Sequence, residues 1–156
     1  MDWLRGIAVA MGVCVGMGAS SALAADSPFA GRWLWNRAQS AMRPGAPVPK
    51  DVVLEISTRD NNRLKWSLTV VGVDGKSRVE TLEAATNGEI YRISSDMTAS
   101  FRLNDGILEV TFRGAVGRSD ALTCMLSPDS QRMTCLGVLS GGNGRTVNYV
   151  DVYDKI

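Results

Sequence analysis

Apolar and polar residues alternate with a period of two along several short segments of the chain. In the clearest segment every second residue is apolar, namely Leu64, Trp66, Leu68 and Val70. The same pattern recurs in three further segments, 52–56, 101–103 and 108–112, and a fifth segment, 148–152, alternates with bulky residues on both faces. Such alternation is typical of a β-strand with one buried face. No stretch after residue 24 has a sustained apolar stripe of helical spacing, so the pattern predicts an all-β chain.

Turn-forming sequences separate the predicted strands. They are Asp74-Gly75, Asn87-Gly88, Asn104-Asp105-Gly106, Pro128-Asp129 and the glycine-rich stretch 141–144. Short turns join strands that are neighbours in a sheet. We therefore predict an antiparallel up-and-down meander of about eight to ten strands that closes into a barrel. A two-sheet sandwich is the alternative, but closure removes the exposed strand edges that an open sheet has to protect.

The first 24 residues have the layout of a secretory signal peptide. Arg5 provides the positive charge, residues 6–24 carry no charge, and the small residues Ala22 and Ala24 precede the expected cut. We therefore predict a signal peptide at 1–24, with cleavage between Ala24 and Ala25. An uncleaved membrane anchor is the alternative, although a segment this rich in Gly, Ala and Ser is only mildly apolar.

Cleavage leaves residues 25–156, which length alone predicts to be a single domain. Export predicts a periplasmic or secreted protein. No second candidate for a membrane span follows residue 24, so we expect no membrane insertion of the mature chain.

Two cysteines, Cys124 and Cys135, remain after cleavage, and the turn signal at Pro128 lies between them. With a four-residue loop the two cysteines face each other on adjacent strands, which is compatible with a disulfide in an oxidising compartment. With a three-residue loop and a bulge, Cys124 faces Thr134 instead, because a slip of one residue turns the side chain to the other face. The sequence therefore predicts a Cys124–Cys135 disulfide, with two small buried thiols as the alternative.

The composition of the chain excludes several kinds of catalysis and binding. The chain has no histidine, and its 17 Lys and Arg residues against 16 Asp and Glu give a net charge of +1. Histidine-dependent catalysis and histidine metal sites are excluded, and we predict neither a metal nor a cofactor. The near-neutral, scattered charge also argues against nucleic-acid binding. Two neighbouring carboxylates could still provide general acid–base catalysis. Glu55 and Glu109, however, lie on the polar faces of their predicted strands.

The first predicted strand carries Gly31-Arg32-Trp33, which is similar to the Gly-x-Trp signature of the lipocalins. In that family the tryptophan closes one end of the barrel and a basic residue late in the chain packs across it. The resemblance gives these structural roles to Gly31 and Trp33. It makes Arg145, at the start of the last predicted strand, the candidate basic partner.

A longer pattern resembles a family of small exported bacterial proteins that have a lipocalin-like fold. Their mature chains open with Gly-x-Trp-x-x-Asn-x-x-x-Ser before a Pro- and Gly-rich stretch, and this chain has residues 31–40 and 44–49 in those places. The family's late Ser-x-Asp hairpin and its final Val-x-Val-Tyr-x-Lys correspond to 127–129 and 150–155. The chain departs from the pattern at Gln39 and Ser130, where the family usually has Lys and Gly. The resemblance implies a fold and no activity.

We predict an exported, lipocalin-like barrel that binds a small apolar or amphipathic ligand and is not an enzyme. The predicted ligand contacts are four aromatic residues, Trp35, Trp66, Phe101 and Phe112. One alternative is a barrel filled by its own side chains that acts as a protein-interaction or structural factor, since small barrels can be filled in this way. A carboxylate-based hydrolase or isomerase is a minor alternative.

Overall fold

The computed structural model describes residues 26–42, 47–59 and 62–156. The predicted signal peptide, 1–24, and the Ala24–Ala25 cleavage site lie outside the described residues. The same holds for Pro44 and Gly45 of the family pattern.

The described residues form ten antiparallel strands in one sheet. Their bounds are β1 Gly31–Trp35, β2 Asp51–Thr58, β3 Arg63–Val71, β4 Ser77–Ala85, β5 Asn87–Arg92, β6 Thr98–Asn104, β7 Ile107–Arg113, β8 Ser119–Leu126, β9 Arg132–Ser140 and β10 Thr146–Lys155. The strand order is β4-β3-β2-β1-β10-β9-β8-β7-β6-β5. Most neighbours in the sheet are therefore neighbours in the chain, and the first strand also pairs with the last. The predicted all-β up-and-down meander is confirmed.

The sheet curls into a nearly closed barrel with a seam between β4 and β5. No ladder joins these two strands within the described part of the chain. Thr86, in the tight turn between them, is bound to β6, because the Leu103 amide donates to the Thr86 carbonyl over 3.0 Å. Because β4 lacks a partner along its outer edge, most of its first residues are exposed.

One end of the barrel is filled by aromatic side chains, and we call it the closed end. Phe29 and Trp33 are fully buried there, and the Trp33 indole donates to the Phe29 carbonyl over 3.0 Å. The Lys155 ammonium lies 5.2 Å from the centre of the Trp33 ring. Gly31 leaves room for this arrangement, since a Cβ there would lie 2.8 Å from Lys155 Cε.

The prediction that Arg145 packs across Trp33 is wrong. Arg145 is exposed in the turn between β9 and β10, at the opposite end of the barrel, which we call the open end. The β1–β10 register places Lys155 directly beside Trp33. Lys155 belongs to the end of the last strand, which returns to the closed end, whereas Arg145 precedes its beginning.

The lower half of the barrel, toward the closed end, is packed solid. Trp66 and Phe101 stack at 5.9 Å between ring centres, with 28° between their planes. Cys124 and Cys135 face each other on β8 and β9 and form a fully buried disulfide. The Ser127 amide donates to the Arg132 carbonyl, which confirms the four-residue hairpin loop and the predicted disulfide.

Helical structure is confined to a single 3-10 turn, Ala115–Gly117, in the part of the chain described. None of the described helical residues belongs to a helix long and apolar enough to span a membrane.

Candidate functional site

A cavity of about 600 Å³ opens at the open end of the barrel. Its floor is apolar and is formed by Trp35, Val52, Leu68 and Val70. Met42, Pro47 and Pro49, from the connection between β1 and β2, also line it. Pro47 and Pro49 cannot pair within a regular strand, because proline lacks a backbone donor.

The wall of this cavity that β10 provides is polar. Three residues of β10 line the cavity, namely Tyr149, Asp151 and Tyr153. Their spacing of two puts them on the same face of the strand. The Trp35 indole donates to Asp151 Oδ1 over 3.1 Å, and the Tyr149 hydroxyl donates to Asp120 Oδ1 over 2.7 Å. Burial, and then the charge of Asp151, raise the pKa of Tyr153 far above its ordinary value, so its hydroxyl stays protonated.

The Tyr149 ring lies where a side chain of residue 137 would otherwise stand. The two residues are directly opposite on β9 and β10, and a Cβ on Gly137 would overlap the Tyr149 ring. Glycine at 137 therefore allows this aromatic ring to lie against the sheet inside the barrel. Its hydroxyl can then reach Asp120 on β8, across β9.

The inner face of β4 is charged where it borders the cavity. Val70 pairs with Arg78, and Leu68 pairs with Glu80, so both charged residues share the inner face of their apolar partners. Arg78 lines the cavity, and its guanidinium lies 3.5 Å from Glu80. Val79, between them, faces outward with 63% of its surface exposed. At the start of β4 the expected alternation is therefore inverted, because the charged residues lie on the inner face and the apolar residue lies on the outer face.

A second depression of about 440 Å³ lies at the same end of the barrel. Phe112, Asp120 and Leu139 line it, together with Val116 of the β7–β8 loop. Asp120 lines this depression and Tyr149 lines the main cavity, so the hydrogen bond between them links the walls of the two spaces.

The structure separates the four aromatic residues predicted to contact a ligand. Trp35 lines the main cavity and Phe112 lines the second depression. Trp66 and Phe101 line neither, because they stack on each other in the solid half of the barrel. The polar residues of β10 and the charged residues on the inner face of β4 were not among the predicted site residues. The sequence signals for them were an acid, Asp151, between two tyrosines at a spacing of two, and an apolar Val79 between the charged Arg78 and Glu80.

Glu55 and Glu109 are exposed on the outer surface, as the strand pattern predicts, and Glu55 pairs with Arg32 over 3.1 Å. Within the described ranges, no group of three or more Cys, Asp or Glu side chains is arranged to hold a metal ion.

Comparison with known proteins gives a fold and no family. No protein-family model and no curated protein matches the chain. The fluorescent protein UnaG is similar in structure, with a TM-score of 0.59 and 12% identity over 82% of this chain and 97% of that one. The apo form of lipid binding protein 8 from Caenorhabditis elegans has a TM-score of 0.57 and 14% identity over 83% of this chain and 96% of that one.

At these identities the likeness concerns the fold alone. The chain is an antiparallel up-and-down β-barrel of ten strands, similar in fold to these proteins, which confirms the predicted fold class. Its membership of the exported bacterial family stays a prediction.

Proposed function

We propose that this protein is an exported, non-catalytic carrier or sensor that binds a small apolar or amphipathic ligand in the cavity at the open end. The cavity itself carries the proposal. Its volume of about 600 Å³ lies in the range of pockets that enclose small molecules, and an apolar floor with a few convergent polar groups is typical of such sites.

The distribution of polarity favours an amphipathic ligand. The apolar part would lie on Trp35, Leu68 and Val70, where burial of apolar surface drives binding. A polar group would meet Tyr149 and Asp151 on the β10 wall. Tyr153 adds a protonated hydroxyl at the same wall. That one similar structure belongs to a protein named for lipid binding supports this proposal.

The hollow half of the barrel favours binding over a purely structural role. A filled barrel was the alternative, and the stacked pair Trp66–Phe101 does fill the lower half. Above it, the space between Trp35 and Tyr149 remains open to the mouth. A cavity has no structural benefit, since its walls lose packing contacts, and this supports a binding role.

Export is supported by the disulfide, because disulfides persist mainly in oxidising compartments. With it we propose the signal peptide at 1–24 and a periplasmic or secreted location. The N-terminal sequence of the protein isolated from cells that export it tests this. A mature chain that begins at Ala25 is expected, and a chain that retains Met1 would contradict export by cleavage.

Titration with anilinonaphthalene sulfonate, a dye that fluoresces in apolar surroundings, tests ligand binding. The wild type should bind the dye and release it to a competing long-chain lipid. Leu68→Trp fills the cavity floor and should weaken dye binding by about tenfold or more, because a drug-sized ligand is largely enclosed by such a site. Val79→Trp adds the same bulk on the outer face of the neighbouring strand and should leave binding unchanged.

Equal dye binding by wild type and Leu68→Trp would show that the dye lies elsewhere and would refute the cavity as the site. Thermal unfolding of both variants shows whether each is folded. If Leu68→Trp does not fold, Val52→Phe enlarges a different residue of the same floor and replaces it in the comparison.

A further inference from the structure

Large apolar side chains project from three separate loops at the open end. Val73 in the β3–β4 turn is 62% exposed, Met97 in the β5–β6 loop is 40% exposed, and Val116 in the β7–β8 loop is 83% exposed. Isolated exposed apolar residues are ordinary on protein surfaces. These three, however, stand on successive loops at the open end, where Val73 lines the main cavity and Met97 and Val116 line the second depression.

Val116 is held outward by a backbone that valine rarely adopts. Its φ of 57° lies in the left-handed region, which is unfavourable for a β-branched residue. Such a conformation persists only where the surrounding structure imposes it. Here the turn between β9 and β10 lies against it, since a Cβ on Gly142 would overlap the Val116 carbonyl oxygen. An exposed apolar residue is therefore maintained at a cost in conformational energy.

The loops at the open end are also basic. The described residues outside the strands at this end include five cations and two acids, namely Arg37, Lys50, Lys76, Arg118, Arg145, Asp74 and Asp96. The described loops of the closed end have the opposite balance, with one cation and three acids, namely Arg59, Asp26, Asp105 and Asp129. The cations are scattered along the sequence, but an up-and-down meander brings every second loop to the same end.

We propose that the open end docks on an anionic lipid surface. Val73, Met97 and Val116 would enter the boundary between head groups and acyl chains, and Lys76 and Arg118, on the same loops as two of them, would contact lipid phosphates. Apolar tips flanked by cations are the combination that binds a folded protein to an anionic membrane surface. The barrel itself stays outside the hydrocarbon.

A lipid surface fits this end better than a protein partner does. The apolar tips stand on three separate loops at one end of the barrel, so they offer several short points of insertion. Docking in this orientation would also turn the cavity mouth toward the membrane. An amphipathic ligand could then pass between the cavity and the lipid without crossing the surrounding water.

Flotation of the full mature protein, residues 25–156, with lipid vesicles tests the proposal. One set of vesicles is pure phosphatidylcholine, and the other contains about one third phosphatidylglycerol. The wild type should float with the anionic vesicles, bind the neutral ones at least about tenfold more weakly, and be released as salt is raised, because salt screens exposed charges. The double variant Val73→Asp, Val116→Asp should lose about tenfold or more of the binding to anionic vesicles.

The matched control is the double variant Ile107→Asp, Ile156→Asp, which changes two exposed apolar residues at the closed end. It should float as the wild type does. Lys76→Gln with Arg118→Gln tests the charges separately and should lower the salt dependence. If the apolar double variant fails to fold, Val116→Ser alone replaces it, because Val116 is the most exposed of the three tips.

Three results would overturn the proposal. They are a wild type that floats with neither kind of vesicle, equal binding to both kinds, and binding that Val116→Ser or the double variant leaves unchanged. In the first case the exposed tips would serve a protein partner instead. Leu68→Trp should still float, since it alters the cavity floor and no loop, so failure of docking and failure of ligand binding are distinguishable.

Discussion

The ring of Tyr149 on β10 occupies the space above Gly137 on β9, inside the barrel. The two residues form a cross-strand pair, and the tyrosine hydroxyl continues past the glycine to donate to Asp120 on β8. A side chain at 137 would overlap the ring. One glycine thus permits a polar link across three strands at the side of the cavity.

Gly137→Ala should displace the Tyr149 ring, break its hydrogen bond to Asp120 and change the shape of the cavity. Overfilling a packed interior costs about 1–3 kcal/mol, and we expect the free energy of unfolding to fall by this amount. Denaturation by urea measures it, and the dye titration reports the change in the cavity. Both readouts should respond.

Gly114→Ala is the matched control. A Cβ there has an ordinary contact of 3.8 Å to Arg118 Cβ, and no positive φ is required at that position. Its stability should therefore change by less than about 1 kcal/mol. If Gly137→Ala were as stable as Gly114→Ala and bound dye normally, the close approach of Tyr149 would not matter to the cavity.

Lys155→Gln should lower stability by about 0.5–1 kcal/mol, because it removes the ammonium group that faces the Trp33 ring. Arg145→Gln should have almost no effect, since Arg145 is exposed at the other end of the barrel. Urea denaturation of the two variants distinguishes Lys155, which lies beside Trp33 in the structure, from Arg145, which the lipocalin resemblance predicts there. A larger effect of Arg145→Gln would support the resemblance.

Alternation marked five of the ten strands, the turn sequences between segments predicted the sequential strand order, and a four-residue loop predicted that Cys124 and Cys135 face each other. Each of these depends on local signals, namely a period of two, a turn sequence or a loop length. The Gly-x-Trp resemblance likewise located the closed end. It did not identify the basic partner, because that depends on which end of the barrel β10 reaches when it pairs with β1.

The location of the cavity could not be predicted in the same way. Trp35 and Trp66 look alike in sequence, as aromatic residues on alternating strands. Only the three-dimensional packing shows that Trp66 stacks on Phe101, 35 positions away in the chain, and leaves the space beside Trp35 open. Likewise, the gathering of scattered cations at one end follows from topology and not from any local pattern.

Reduction of the Cys124–Cys135 disulfide should destabilise the protein by about 3 kcal/mol, the loss expected when a loop of this length is no longer closed in the unfolded chain. Cys124→Ser with Cys135→Ser should give a similar loss in the absence of reductant and should not respond to reductant. Thiol titration of denatured residues 25–156 without reductant should find no free thiol. Two free thiols would contradict the disulfide.

Asp154 should make stability depend on pH below the ordinary titration range of a carboxyl. Hydrogen bonds from Arg132 Nε at 2.8 Å and Asn36 Nδ2 at 2.6 Å lower the pKa of Asp154 in the folded protein. The stabilisation is therefore fully present above the unfolded-state pKa of about 3.9 and is lost as the pH falls through the lowered folded-state value. Because 39% of the Asp154 side chain is exposed and solvent screens its interactions, the contribution should be below about 1 kcal/mol.

Asp154→Asn should accordingly be less stable than wild type at neutral pH, and the difference should shrink toward zero as the pH falls below the folded-state pKa, because the wild-type carboxylate is then protonated too. Urea denaturation at several pH values measures this, with Asp105→Asn in the exposed β6–β7 turn as the control. A difference that stayed constant down to the lowest pH would show that Asp154 acts through packing or neutral hydrogen bonds, and that its charge does not help to hold Asn36, Arg132 and β10 together.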